Sequence, residues 1–114
     1  MKKSISILKR GLESSSYKTP EFLAFARTFK SEFSKELKSL GATNIVFSVG
    51  HFYISGFFTV GEKIFYFSLP DVRGFEFRFQ DLMYRTAKHY KDYTGGGNQW
   101  VKIETGMAKN MQIL

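Results

Sequence analysis

The sequence predicts an α+β domain in which one amphipathic N-terminal helix packs on an antiparallel β-meander of four to five strands. Three observations predict it. Apolar residues recur with helical spacing from Phe22 to Leu40. From Thr43 onward they alternate with the period of two that marks half-buried strands. Short turn signals separate the alternating segments and join neighbours antiparallel. The 114 residues suffice for one core without disulfide or metal support, so a single domain over 1–114 is expected.

The opening "MKKSISILKRGLESSS" begins like a signal peptide, but Ser4, Ser6, Lys9 and Arg10 interrupt its apolar run before an export core forms. No membrane span and a cytoplasmic setting are expected. Residues 1–18 are expected to be a frayed segment, with Ser14 to Ser16 as a hinge. The helix then announces its start: Thr19 suits the N-cap, Pro20 the first helical position, and Glu21 the positive end of the dipole. Phe22, Ala26, Phe29, Phe33, Leu37 and Leu40 form one stripe, Arg27, Lys30, Lys35 and Lys38 lie off it, and Gly41 stops the helix.

In the strand region "NIVFSV" places Ile45, Phe47 and Val49 on one face. After a reversal at Gly50, "HFYISGFFTV" sets Phe52, Ile54, Phe58 and Val60 against Tyr53 and Phe57. "GEK" at 61–63 reads as a hairpin turn into "IFYFSL", and Pro70 ends that strand before the turn "DVRG". "FEFRFQ" alternates Phe75, Phe77 and Phe79 with Glu76, Arg78 and Gln80. For residues 82–93 two readings stay open: a helix capped by Asp81, with Leu82, Thr86, Tyr90 and Tyr93 on one face, or a strand with Leu82, Tyr84 and Thr86 on one face. "TGGG" breaks either element, "QWVKI" resumes as a strand with Trp100 half-buried, and 105–114 reads as a loose tail with at most a short helical turn.

The net charge is +7 with a pI near 9.7, and it is unevenly spread. Residues 1–40 carry nine Lys or Arg against four Glu and residues 82–114 five against two, while the middle is close to neutral. Basic ends favour anionic partners such as nucleic acid, acidic proteins or a membrane face. The absence of Cys excludes disulfide frameworks, thiolate zinc sites and cysteine nucleophiles together.

The stretch "YRTAKHYKDYTGGGNQW" concentrates the residues of a working surface. Arg85, Lys88 and Lys91, with His89 beside them, are the residue types that contact phosphates, and in either backbone geometry they are expected to reach solvent. Tyr84, Tyr90, Tyr93 and Trp100 are the types that stack bases or cover an apolar partner. Gly95, Gly96, Gly97, Asn98 and Gln99 complete the candidate binding segment as a loop with accessible amides. The same tyrosines would equally serve to close the edge of a core.

The segments "GHFYISGFFT", "YFSLPDVR" and "YRTAKHYKDYTGGGNQWV" resemble recurring segments of small proteins carried by phages, plasmids and other mobile elements of bacteria, over roughly residues 44–101. That resemblance implies a context in which proteins often act by binding, including anti-CRISPR and other anti-defence inhibitors. It brings no catalytic residues with it.

Enzyme motifs fail individually. A phosphate-binding P-loop needs Lys and then Ser or Thr after its last glycine, where Asn98 and Gln99 stand. The dinucleotide fingerprint lacks its strand, glycine loop and helix in order. His51 and His89 have no metal-ligand spacing, and Asp71, Asp81 and Asp92 read as turn and capping residues, so no cofactor is implied. The expectation is a non-catalytic protein whose basic aromatic surface binds nucleic acid or a nucleic-acid-handling bacterial protein. The alternatives are direct inhibition of a host effector and, behind it, a small metal-dependent enzyme.

Overall fold

A computed structural model describes residues 1–9, 20–50, 53–69 and 81–113. Helices α1 (Lys2–Lys9) and α2 (Pro20–Ser39) precede the strands β1 (Thr43–Val49), β2 (Ile54–Val60), β3 (Lys63–Leu69), β4 (Asp81–Ala87) and β5 (Gln99–Lys102). A 3₁₀ turn, Met107–Asn110, follows β5. The strands form one antiparallel sheet in the order of the sequence, so the fold is an α+β meander with helices on one face. The expected residues Thr19, His51, Phe52 and Pro70, the "DVRG" turn and the "FEFRFQ" strand lie outside the described residues.

Helix α2 buries Phe22, Phe25, Ala26, Phe29, Phe33 and Leu37, while Leu40 is half-buried at its end. Phe25 joins the expected stripe because it stands three residues after Phe22 and four before Phe29. The rings run as a ladder, with centroids 6.3 Å apart for Phe22 and Phe25, 5.8 Å for Phe25 and Phe29, and 5.3 Å for Phe29 and Phe33. Phe33 then meets Phe67 of β3 edge to face at 5.2 Å, and Phe67 meets Phe47 of β1 at 5.5 Å. Four fully buried rings and Leu37 contribute on the order of 10 kcal/mol of gross transfer free energy. Arg27, Lys30, Lys35 and Lys38 are exposed, as their positions off the stripe require.

Gly41 ends α2 in a left-handed conformation with φ 89°. Its amide donates to the Lys38 carbonyl at 3.0 Å and the Ala42 amide to the Leu37 carbonyl at 3.1 Å. This is the paired closure that glycine permits at a helix C-terminus.

Both chain ends depart from expectation. Residues 1–9 are docked rather than frayed: Met1, Ser4 and Leu8 are buried. Glu32 of α2 accepts the Lys3 amide at 3.1 Å, the Ser4 amide at 2.8 Å and the Ser4 hydroxyl at 2.7 Å, capping α1 from another helix. The tail is not loose, because Met107, Ala108, Met111 and Ile113 are buried in the core. Glu36, one turn along α2, accepts the Gly106 amide at 3.1 Å and the Ala108 amide at 3.0 Å. Two glutamates at i and i+4 thus satisfy the open amides of two distant segments.

Replacing Phe33 by Ala removes the ring that couples α2 to β3 and should cost about 3 to 5 kcal/mol, read from the midpoint of denaturant unfolding. An unchanged midpoint would refute the placement. For Glu32, burial raises the carboxyl pKa, but the Ser4 hydroxyl and amide, the Lys3 amide and the terminal ammonium outweigh it and hold it below the usual range. Its contribution is therefore present above the unfolded value near 4.3 and lost as pH falls through the lower folded value. Hydrogen exchange should show α1 amides losing protection in that acid window before β2 and β3 do. Protection of α1 that is indifferent to acid would refute the capping role.

Candidate nucleic-acid interface

The sheet has a second face, opposite α2, and the register aligns its side chains into rows. Val46, Phe57, Tyr66 and Arg85 stand opposite one another across β1 to β4. Ser48, Ser55, Ser68, Met83 and Trp100 form the next row across all five strands. The strand reading of 82–93 therefore holds to Ala87, and Asp81 opens β4 instead of capping a helix. Period-two pairing with β3 decides between two patterns that the sequence fits equally.

Beyond Ala87 the chain turns back and crosses this outer face. Lys91 adopts a left-handed φ of 84°, and the Asp92 amide closes the turn by donating to the His89 carbonyl at 3.1 Å. Tyr90 reaches β1, where its hydroxyl donates to the Asn44 carbonyl at 2.8 Å and accepts from the Thr59 hydroxyl at 2.7 Å. Its ring lies 5.5 Å from Phe57. Tyr93 contacts Phe57 at 5.6 Å and meets Tyr66 edge to face at 5.8 Å. Residues 88–94 are thus a strap that roofs the aromatic pair of β2 and β3.

Arg85 anchors the strap from beneath, and it is not the solvent-facing cation expected from its spacing. Only 3% of it is exposed. Its guanidinium lies 4.7 Å from the Tyr66 ring centroid, donates to the Asp92 carbonyl at 2.7 Å and to the Thr86 carbonyl at 3.3 Å, and approaches the Asp92 carboxylate at 4.0 Å. The Asp92 carboxylate also accepts the Lys88 amide at 2.9 Å and the Thr94 amide and hydroxyl, each at 3.2 Å. The Lys88 amide first, then the Thr94 groups and the Arg85 charge hold this carboxyl below its usual range against the effect of burial. Asp92 is turn chemistry, as expected, with a buried arginine added. Gly95 passes over the guanidinium so closely that a Cβ there would fall 2.4 Å from Nη1.

Tyr84 belongs to the opposite face, so it too leaves the candidate surface. Buried among the core residues, it donates its hydroxyl to the Gln99 side chain at 3.0 Å and accepts the Gln112 amide at 2.6 Å, tying the C-terminal segment down. Alternation along β4 puts Tyr84 and Arg85 on different faces, and both faces are covered.

What remains exposed is Lys88, His89, Lys91, Tyr93, Gly95, Gly96, Gly97, Asn98, Gln99 and Trp100, with Tyr90 half-buried. Trp100 is 58% exposed rather than half-buried, because β5 is an edge strand and none of the described elements covers its outer face. Tyr93 is 61% exposed although two rings hold it. Lys102, which the sequence did not single out, is exposed two residues beyond Trp100 and therefore on the same face. Asp92 is the sole acid in residues 88–102, and its carboxylate is occupied.

A second basic region borders α1 and α2, where Lys3, Arg27 and Lys35 surround a groove of about 660 Å³. Glu32 and Glu36 also line it, and among the described residues no aromatic does. Among the described residues no three His, Asp or Glu side chains gather as a metal site, and no helix is long and apolar enough to cross a membrane. No protein-family model, curated protein or solved structure matches the chain.

Arg85→Ala should destabilise the protein by about 2 to 4 kcal/mol, since it removes charge-assisted hydrogen bonds and the packing above Tyr66. Chemical denaturation checks this. A loss below about 0.5 kcal/mol, the scale of an exposed surface substitution, would contradict the anchoring role.

Proposed function

We propose that this protein is a non-catalytic nucleic-acid-binding protein whose working surface is the outer face of the strap and β5. The observation that carries the reading is the composition of that surface. Lys88, Lys91 and Lys102 are exposed beside Tyr93 and Trp100, and the only acid in the stretch has its carboxylate bound inward. Exposed cations attract phosphates and exposed rings offer the contact that bases make, and the carboxylate that the sheet sets on this face is that of Asp81, opposite Lys102. The resemblance to proteins of bacterial mobile elements supplies a setting in which such binding is useful. The groove beside α1 has cations without rings and mixes them with carboxylates, which fits this chemistry less well.

The triple variant Lys88→Ala, Lys91→Ala, Lys102→Ala separates binding from folding. Its stability should change by less than about 1 kcal/mol per site. Its affinity for nucleic acid at low salt should fall steeply, and the slope of log K against log[salt] should shrink by roughly 0.7 to 0.9 for each lysine that meets a phosphate. Fluorescence anisotropy with labelled oligonucleotides gives both quantities. Wild-type protein that binds no oligonucleotide at low salt would overturn the reading and point instead to a protein partner for this surface.

A further inference from the structure

Resting on the nucleic-acid reading, we infer that the ligand is a single strand whose bases stack on Tyr93 and Trp100, with its phosphates along Lys88, Lys91 and Lys102. The rings are the reason. A duplex keeps its bases paired and stacked on one another, so it meets a protein mainly with phosphates and groove edges. An exposed aromatic face gains nothing from that. A single strand has unstacked bases, each with a π face, and stacking on aromatic side chains is the contact such strands make without regard to sequence.

Tyr93 is preset for this contact. Phe57 at 5.6 Å and Tyr66 at 5.8 Å pack against it at steep angles of 66° and 87°, while most of it stays in solvent. A ring already fixed loses little rotamer freedom when a base lands on it. Tyr66 is in turn held from the β4 side by the Arg85 guanidinium. Trp100 stands two strands and one row away from Tyr66, roughly 12 Å at ordinary strand spacings. Tyr93 packs against Tyr66, so the two exposed rings share the outer side of the sheet, as the aromatic platforms of single-strand readers do.

In the sequence the residues between Tyr93 and Trp100 carry no charge, and Gln99, paired with Tyr84, turns its side chain to the other face. Lys88 and Lys91 are exposed on the strap and Lys102 on β5. The one carboxylate within residues 88–102 is bound inward, and Asp81 of β4 stands opposite Lys102, so Lys88 and Lys91 are the cations without a facing strand carboxylate. Bases on the rings and phosphates on the margins are what this charge pattern complements.

The test compares three ligands of equal phosphate number at equal salt: an oligothymidine single strand, a duplex, and an abasic strand that keeps the phosphates and lacks the bases. Trp100 is the chain's only tryptophan, so its emission reports on this face alone. The single strand should quench that emission and bind about tenfold or more tightly than the abasic strand, which removes stacking while preserving charge. Tyr93→Ala should reduce the single-strand affinity by about tenfold and leave abasic binding unchanged. Equal affinity for the single and abasic strands, or a duplex bound more tightly than either, would overturn the stacking inference while the nucleic-acid reading stands. Failure of all three ligands to bind would remove both.

Discussion

A guanidinium enclosed by the protein's own carbonyls sets the geometry of everything on the outer face of the sheet. Arg85 projects from β4 onto the side away from α2, where an uncovered sheet would leave Phe57 and Tyr66 in water. It holds the Asp92 carbonyl at 2.7 Å and the Tyr66 ring at 4.7 Å, so it fastens the returning chain to the strand beneath. Burying a charge is costly unless its donors are used, and here the Asp92 and Thr86 carbonyls and the Asp92 carboxylate share them. The result is a strap with fixed rings in place of a free loop.

The other face is built on apolar burial, and the two faces cooperate through shared strands. The phenylalanine ladder of α2 passes through Phe33 into Phe67 and Phe47, whose burial on one face favours the register that β1 to β3 adopt. That register is what places Phe57 and Tyr66 opposite Arg85 on the reverse side. Tyr84 and Arg85 are consecutive, and one ties down the C-terminal segment while the other ties down the strap. Glu32 and Glu36 close the remaining ends by accepting amides from α1 and from the turn at Gly106 to Ala108. Rigid support on one face is therefore a condition for a preset surface on the other.

Much of this was legible in the residues. The Phe22 to Leu37 stripe, the stop at Gly41 and the two-residue reversal at Gly61 and Glu62 are local patterns, and the structure follows them. The candidate segment was also found, but its members could not be sorted. Periodicity cannot tell an exposed arginine from a buried one, because Arg85 is enclosed by Asp92 and Tyr66, which reach it only after the chain has turned. The docking of residues 1–9 and of the C-terminal segment is not legible locally for a related reason. Their anchors, Glu32 for α1 and Glu36 for Gly106 and Ala108, lie 28 to 72 residues away in the chain, and no local signal announces them. Lys102 escaped notice because its value comes from sharing a strand face with Trp100.

We propose that the strap and β5, rather than the cationic side of α2, form the working face of this protein. Amide-resolved NMR during titration with a short single-stranded oligonucleotide tests it most directly. Shifts should concentrate at Lys88 to Lys102, with the Trp100 indole among the largest, while the amides of Arg27 to Lys38 stay in place. Shifts centred on Arg27, Lys30 and Lys35, with Tyr93 and Trp100 unmoved, would contradict it.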